Sequence, residues 1–204
     1  MPALDTHPDI EPVLSDLPYE VVSGQRVELP PMGAFESWIA STLAEFLASH
    51  VRGQRLGRVP VEILFLIDRK SNLQRKPDLA FVSYDRWPRN RPVPQAPAWD
   101  VVPDLAVDVV STTNSAVSIQ EKVLDYFRTG VRLVWVVYPR TEQVYVYESA
   151  TKVQILQHGD ALDGAAVVPG FRLPLATWFD QETEAEPDAG PRSAQDPGSA
   201  GASE

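Results

Sequence analysis

An aspartate inside an apolar run is the feature that most constrains how this chain can fold. The run Leu105–Val110 reads Leu-Ala-Val-Asp-Val-Val, so Asp108 falls within a segment suited to a strand in the interior of a sheet. Removing a carboxylate from water is costly unless a cation or hydrogen bonds compensate it. Asp78 poses the same problem because it precedes the apolar run Leu79–Val82. The fold must therefore provide compensation for two carboxylates.

Strand alternation places Asp108 on one face of its strand together with Asp104. Asp104 follows a proline at the strand entrance, where we expect its carboxylate to stay in water. If the two runs pair as neighbouring strands, a divalent ion can bridge Asp78 and Asp108, with the Val109 carbonyl as a third oxygen. The predicted metal is Mg²⁺, which prefers oxygen ligands and keeps several waters, and Mn²⁺ can substitute for it.

A lysine on the following helix is the candidate partner of these carboxylates. The segment 115–129 has apolar residues at helical spacing and ends before Gly130, a residue suited to a helix C-cap. Lys122 falls at the edge of the apolar stripe beside Tyr126, whereas Asp125 falls on the far side. A lysine at this edge can extend to a nearby site, where its ammonium can orient water or stabilise the charge on a phosphate.

Each of the three residues also has a purely structural interpretation. Asp78 can cap a turn after the preceding proline, Asp108 can form an ion pair without a metal, and Lys122 can be a surface lysine. The three together, in this order and at this spacing, favour a shared metal-dependent site for phosphodiester cleavage.

The periodicity of the whole chain predicts an α+β fold with α/β-like features. An N-terminal β-hairpin, with strands at 19–22 and 25–29, is followed by an amphipathic helix at 34–51. Further strands are predicted at 59–67, 78–82, 104–110, 131–137, 143–147 and 153–156. The segment 169–179 is expected to pack the C-terminus onto the body.

The formal charge of −10 arises from the two ends of the chain rather than from its body. Residues 1–16 carry four acidic and no basic residues, and residues 180–204 carry seven acidic residues and one arginine. The remaining 17 acidic and 17 basic residues balance, so the total charge does not exclude a nucleic-acid partner. The basic residues that bracket Asp78 are Arg69, Lys70, Arg75, Lys76, Arg86, Arg89 and Arg91.

Length and composition predict one folded domain with a flexible segment at each end of the chain. We interpret 1–16 as a flexible acidic arm, 17–179 as the folded domain and 180–204 as a disordered acidic tail. The sequence shows no membrane span and no signal peptide, which predicts a cytoplasmic protein. The absence of cysteine excludes disulfides and thiolate metal sites, and the three histidines are too scattered to form a ligand pattern.

The proline-rich connection 84–103 allows two interpretations that the sequence leaves open. Its arginines and tryptophans can contact phosphates and stack on bases, as nucleic-acid-binding loops do. Alternatively, it is a stiff connector whose tryptophans pack on the body. The residues concerned are Arg86, Arg89, Arg91, Trp87 and Trp99.

The combined motifs resemble the PD-(D/E)XK nuclease superfamily, and over about residues 18–178 they resemble its Uma-type ("Uma-two") restriction endonuclease family. The resemblance runs from YEVVSGQRVELPPMG through RKPDLAFVS and DLAVDVVS to EKVLDYFRTGVRLVWVVYPRT and VPGFRLPL. It implies a restriction-endonuclease-like core, with a mixed central β-sheet flanked by helices and a site at one sheet edge. By this resemblance, Asp78 and Asp108 are the two acids.

Three positions depart from the usual motif. The lysine normally sits two residues after the second acid, where this chain has Val110, and the resemblance implies that Lys122 replaces it from the helix. The second acid is Asp108 where the family commonly has Glu. Glu36 occupies a position on the first helix that is often His, and it is either an added metal-site carboxylate or a surface substitution.

The leading hypothesis is a Mg²⁺-dependent endonuclease acting on DNA, in which Asp78 and Asp108 hold the metal and Lys122 assists the nucleophile. The alternative is a catalytically inactive module of the same fold that binds nucleic acid or another partner. A more distant alternative, a small-molecule enzyme using the same acids, lacks any supporting cofactor motif. Because cutting both strands of a duplex usually needs two sites, a homodimer is also predicted.

Overall fold

A computed structural model describes residues 17–180 of the 204-residue chain, so the predicted arm at 1–16 and all of the predicted tail except Asp180 lie outside it. The strands are β1 Tyr19–Val22, β2 Gln25–Glu28, β3 Gly57–Arg58, β4 Phe65–Asp68, β5 Leu73–Arg75, β6 Leu79–Ser83, β7 Leu105–Val109, β8 Leu133–Tyr138, β9 Gln143–Ser149, β10 Lys152–Leu156, β11 Ala161–Asp163 and β12 Arg172–Pro174. The helices are α1 Ala34–Gly53, α2 Ala116–Thr129 and α3 Leu175–Phe179, with a 3₁₀ turn at Pro139–Thr141.

A mixed six-stranded sheet in the order β10-β9-β8-β7-β6-β3 forms the centre of the domain. Strands β7 and β8 run parallel, and every other neighbouring pair is antiparallel. All of β7 and nearly all of β6 and β8 are buried, which explains why these segments are apolar on both faces. The predicted α+β fold with a mixed central sheet is confirmed.

Each face of this sheet carries its own hydrophobic core. On one face, Val107 and its neighbours pack against α1, where Leu43 and Leu47 are fully buried. On the other face, Ala106 and its neighbours pack against Val123 of α2. The hairpin joins a smaller sheet, in the order β2-β1-β5-β4, whose strands β4 and β5 add to the α2-side core. Strand alternation therefore decides which helix each β7 side chain meets.

The C-terminal segment packs onto α1, as the sequence predicts. The Trp178 indole is buried and donates hydrogen bonds to the Ile39 carbonyl at 3.3 Å and to the Thr42 hydroxyl at 3.1 Å. Strands β11 and β12 pair just before this helix. No helix within residues 17–180 is both long enough and apolar enough to cross a membrane.

The predicted strand at 59–67 is only partly correct, because regular pairing begins at Phe65. Glu62 has a φ of 52°, which interrupts the extended backbone, and Val61 is 47% exposed instead of facing the core. The alternation of apolar residues there did not reveal this break. Strand β5 was missed altogether, because its three residues Leu-Gln-Arg carry too little pattern to identify.

The connection 84–103 is packed against the body rather than held open for bases. Trp87 and Trp99 are 5% and 2% exposed and meet edge to face, with ring centroids 5.4 Å apart. Arg91 lies over the Trp87 ring at 3.6 Å, and Arg86 forms an ion pair with Asp104 at 2.9 Å. The stiff-connector interpretation therefore accounts for both tryptophans, which are too buried to stack on nucleotides.

Candidate active site

Asp78 and Asp108 are cross-strand neighbours in the central sheet. The antiparallel register of β6 and β7 pairs Leu79 with Val107, so one further position along each strand brings Asp78 opposite Asp108. The Asp78 carboxylate accepts a hydrogen bond from the Val109 amide at 2.6 Å, which fixes it against β7. Asp108 is 4% exposed. The two acids therefore meet where β6 begins and β7 ends.

It is unfavourable for the Asp78 carboxylate to be ionised beside a negatively charged Asp108. Burial and then the neighbouring Asp108 carboxylate raise the pKa of Asp78 to about 7, against the lowering effects of the Val109 amide, Lys122 and Lys76. Directly opposed like charges destabilise a sheet. The pair is therefore suited to binding a cation, which removes the repulsion, or to protonation of Asp78 near neutral pH.

Lys122 reaches the pair from α2, as predicted. Ser115 caps this helix by accepting a hydrogen bond from the Ser118 amide, and Gly130 ends it with a φ of 100°. These caps fix the helix so that Lys122 Nζ lies 2.9 Å from Asp108 Oδ1. Burial works against its charge, but Asp108 and Glu20 outweigh that effect and raise the pKa of Lys122 above its ordinary value. The ammonium therefore remains protonated at the second acid.

Glu20 is a fourth member of the cluster that the sequence reasoning missed. Its carboxylate lies 3.1 Å from Lys122 Nζ and 2.7 Å from the Arg75 guanidinium, and it accepts the Lys76 amide at 2.9 Å. Although burial raises the pKa of Glu20, Lys122 and Arg75 lower it overall. The available signal was a charged residue in the hairpin strand YEVV, where β1 turns Glu20 inward to 2% exposure.

Arg75 and Asp125 extend this cluster of charged side chains away from the acidic pair, because Arg75 joins Glu20 to Asp125. Arg75 is 6% exposed and also binds Asp125 at 2.5 Å, and Asp125 in turn contacts Arg128 at 2.8 Å. The helical wheel predicted that Asp125 lies on the side of α2 away from the apolar stripe and from the site. This prediction is wrong, because Arg75 of β5 packs against Asp125. Arg75 compensates the buried Glu20 carboxylate and the half-buried Asp125 carboxylate, so it is not available to bind a phosphate.

Asp104 also differs from the prediction that it stays solvated. It is 2% exposed, pairs with Arg86 and with Arg132 at 3.4 Å, and accepts the Ser83 amide at 2.9 Å. These partners replace the water that the carboxylate loses. Asp104 therefore stabilises the far end of β7 and is separate from the site at Asp108.

An open pocket gives access to the acidic pair. Asp78, Asp108 and Lys122 all line it, together with Lys76 and Glu62, which pair at 3.0 Å. The remaining lining residues are Pro18, Leu29, Pro30, Met32, Val109, Ser111, Asn114 and Ile119. The residues predicted for the site therefore converge on one cleft that a substrate can enter.

The donor set fits an oxygen-preferring ion. Asp108 Oδ2 is buried and has no hydrogen-bond partner within the described residues, so one carboxylate oxygen remains unsatisfied. Within residues 17–180, no three His, Cys, Asp or Glu side chains are grouped so that they can hold a metal. Two carboxylates, a backbone carbonyl and waters suit Mg²⁺, which rarely relies on a cage made only of side chains.

The buried Tyr126 hydroxyl lies near the Asp108 carboxylate. Burial and the nearby Asp108 and Glu20 carboxylates raise the pKa of Tyr126 well above its ordinary value, so the hydroxyl keeps its proton. The hydroxyl has no hydrogen-bond partner within the described part of the chain. A protonated hydroxyl thus lies near the Asp108 carboxylate.

The other candidate positions lie away from the cluster. Glu36 is 8% exposed, so it is not a surface substitution, and its carboxylate packs against Gly33 without lining the pocket. His50 contacts the Pro169 carbonyl at 2.9 Å and His158 contacts Asp180 at 2.9 Å, whereas His7 lies outside the described residues. Val110 is only half-buried beyond the end of β7 and contributes no charge.

A family model described as "Putative restriction endonuclease", Uma2, matches residues 6–176. The chain belongs to the Uma2 family. The match includes all four residues of the Asp78–Asp108–Lys122–Glu20 cluster, and it confirms the family resemblance inferred from the motifs. It also supports a nuclease rather than a small-molecule enzyme.

A solved structure has the same fold. It is the crystal structure of a protein described as a putative nuclease of DUF820 from Anabaena variabilis, with a TM-score of 0.69 and 19% sequence identity. The similarity covers 79% of this chain and 89% of that one. At this identity the likeness establishes the architecture and not the chemistry. No curated protein matches the sequence.

Proposed function

We propose that this Uma2 protein is a Mg²⁺-dependent endonuclease that hydrolyses phosphodiester bonds of DNA. The observation that carries the proposal is the placement of Asp78 opposite Asp108, with the Lys122 ammonium 2.9 Å from the second acid, in one open pocket. An ion-binding carboxylate pair beside a fixed cation is suited to a reaction in which negative charge develops on phosphate oxygens.

Each residue has a distinct role in this proposal. Asp78 and Asp108 would hold the ion, which would neutralise charge at the phosphate and make water a better nucleophile. The Val109 amide orients the Asp78 carboxylate through its 2.6 Å hydrogen bond. Lys122, which remains protonated, donates hydrogen bonds to the attacking water or to a nonbridging phosphate oxygen. The water oxygen then bonds to phosphorus as the bond from phosphorus to the leaving oxygen breaks. The water releases one proton to solvent and the leaving oxygen takes one up from solvent, so the net reaction is hydrolysis.

The decisive substitution is Asp108→Asn, which keeps the shape of the side chain and removes its charge. Purified variant and wild-type proteins are incubated with supercoiled plasmid in EDTA, Mg²⁺ or Mn²⁺. We expect wild type to cut only with a divalent ion and Asp108→Asn to lose at least about 100-fold in rate. Asp100→Asn is the matched control, since Asp100 pairs with Arg69 on the surface and lies outside the pocket.

Two results separate this proposal from an inactive module. Cleavage by Asp108→Asn at the wild-type rate contradicts the role of the acidic pair. Binding of DNA by wild type in EDTA, with no cutting in either metal, contradicts catalysis and identifies the protein as a binding module. Parallel assays with single-stranded DNA, duplex DNA and RNA of one sequence define the substrate.

A further inference from the structure

Four arginines converge on a groove at the opposite end of β6 from Asp78. Arg52 lies in the last turn of α1, Arg55 follows that helix, Arg58 lies in β3, and Arg89 belongs to the connection after β6. Within the described part of the chain, no carboxylate lines this groove. The groove is therefore a concentration of positive charge in a protein whose total charge is −10.

Three of these arginines form no ion pair or side-chain hydrogen bond within residues 17–180, whereas the fourth is hydrogen-bonded. Arg58 donates to the backbone carbonyls of Trp87, Arg89 and Arg91 at 3.0–3.1 Å and so fixes one wall of the groove. In contrast, the guanidinium groups of Arg52, Arg55 and Arg89 form no ion pair or side-chain hydrogen bond among residues 17–180.

Within residues 17–180, Lys70, Arg140 and Arg172 also lack ion pairs, but they are dispersed over the surface, whereas Arg52, Arg55 and Arg89 line one groove. Most of the arginines and lysines that bracket Asp78 in sequence are engaged in ion pairs or packed on a ring; these include Arg69, Arg75, Lys76, Arg86 and Arg91. Helix-terminal arginines can stabilise the C-terminus of α1 through the helix dipole. That effect accounts for Arg52 but not for Arg89, which comes from a different element.

An edge of the sheet connects this groove with the candidate active site. Gly57 pairs with Ser83 near the groove, the Ala80 amide donates to the Pro60 carbonyl at 3.0 Å, and the Glu62 amide donates to the Asp78 carbonyl at 2.9 Å. Along β6, the four steps from Ser83 to Leu79 and one more to Asp78 span roughly 16 Å at strand spacing. At about 3.4 Å per nucleotide along one strand of B-DNA, that span corresponds to about five nucleotides.

We infer that the groove formed by Arg52, Arg55, Arg58 and Arg89 binds the DNA backbone about five nucleotides from the scissile phosphate. The inference rests on the proposed nuclease function and specifies how the substrate is held. Guanidinium groups form strong hydrogen bonds with phosphate oxygens, and such contacts position a duplex without reading its sequence. DNA thereby runs along the sheet edge, with the scissile phosphate at Asp78 and the distant part of the backbone at the arginines.

The test compares two triple variants of the full chain that remove the same charge. Arg52→Gln, Arg55→Gln and Arg89→Gln together remove the unpaired groove arginines. The control combines Lys70→Gln, Arg140→Gln and Arg172→Gln, which are exposed and have no side-chain ion pair in the described part of the chain. Binding of a 20-base-pair fluorescent duplex is measured by anisotropy in EDTA over a range of salt concentrations.

The groove variant is expected to bind at least about tenfold more weakly than the control variant at 0.1 M salt, because each lost phosphate contact removes roughly 0.9 from the salt slope. The slope should therefore decrease by about two to three. Equal affinities and slopes for the two triple variants overturn the inference. Because EDTA prevents metal-dependent cutting, this binding result is read independently of the proposed catalysis.

A second measurement tests the spacing. Duplexes that extend only three base pairs beyond the cut on either side, with their strands joined by a short non-nucleotide linker so that they stay paired, cannot reach the groove, so wild type and the groove variant should bind them equally. With long duplexes and Mg²⁺, the groove variant should show a raised KM and a retained kcat. If the groove variant stays weaker on the short duplexes, the arginines act elsewhere and the inference fails. If wild type binds normally but never cuts, the proposed function fails and the groove stands.

Discussion

Asp78 stands opposite Asp108 in the pairing of β6 with β7, and the pKa of Asp78 is raised to about 7. The same arrangement that suits a cation is therefore unfavourable when no cation is bound. Burial is the first cause and the facing carboxylate the second. This relationship links the metal, the pH and the stability of the domain, and each link is measurable.

Asp78→Asn should stabilise the metal-free protein above neutral pH. The Asp78 carboxyl has an ordinary pKa of 3.8, raised to about 7 in the folded state, so between these values the native protein binds more protons than the unfolded chain. The free energy of unfolding contributed by this group therefore falls as pH rises from about 4 to 7. Urea unfolding in EDTA at pH 8 should show the variant more stable by roughly 1–3 kcal/mol, with a smaller difference at pH 5.

Mg²⁺ should reverse this order, since the ion stabilises wild type more than Asp78→Asn at pH 8. Asp100→Asn serves as the exposed Asp-to-Asn control and should differ little from wild type under every condition. A variant at position 78 that is less stable than wild type in EDTA at pH 8 would show that the carboxylate contributes a favourable interaction without metal.

Lys122→Met should separate metal binding from turnover. Removing the ammonium leaves Asp108 without its 2.9 Å partner and should destabilise the metal-free protein by about 3 kcal/mol. The same change removes a positive charge beside the ion, so Mn²⁺ should bind several-fold more tightly while cleavage slows. Calorimetric Mn²⁺ titration and plasmid cleavage test the two effects.

The matched control for this lysine is Lys152→Met. Lys152 pairs with Glu148 on the surface of the sheet, where an ion pair contributes little to stability. Its loss should change neither Mn²⁺ affinity nor cleavage. Weaker Mn²⁺ binding in Lys122→Met would mean that the lysine organises the carboxylates rather than competing with the ion for them.

The sequence was sufficient to predict that Asp78, Asp108 and Lys122 come together, because Asp108 and Lys122 lie on elements with a clear period and Asp78 directly precedes one. Two apolar runs had to be interior strands, and a helix with a defined stripe fixed which side Lys122 faces. Glu20 and Arg75 escaped because their importance depends on a pairing between residues 55 positions apart. Asp104 was misjudged for a similar reason, since Arg86 and Arg132 come from other elements to compensate it.

Gly57→Ala should weaken the pairing of β3 with β6, the strand that Asp78 directly precedes. A Cβ added at Gly57 would approach the Val82 carbonyl and would lie 2.7 Å from the Phe81 ring and 2.9 Å from Ser83 Cα. Because backbone atoms of β6 cannot move aside cheaply, we expect a loss of roughly 1–3 kcal/mol in urea unfolding. Gly53→Ala is the control, since Gly53 faces open space at the end of α1. A neutral Gly57→Ala would mean that β3 separates readily from β6.

Glu20→Gln tests whether the hairpin residue acts through Lys122. Glu20 lies 3.1 Å from the lysine, so when an ion draws charge from Asp108, Glu20 remains as the anion that holds the ammonium in place. We expect a lower kcat with little change in KM.

A double-mutant cycle tests the link to the lysine. In the Lys122→Met background, Glu20→Gln should lower the free energy of unfolding much less than it does in wild type, with a coupling of about 1–3 kcal/mol in the metal-free protein. Glu28→Gln, exposed on the same hairpin, should be silent. Full additivity of Glu20→Gln and Lys122→Met would mean that Glu20 serves the Arg75 ion pair alone, because only a residue acting through the lysine loses its effect once the lysine is gone.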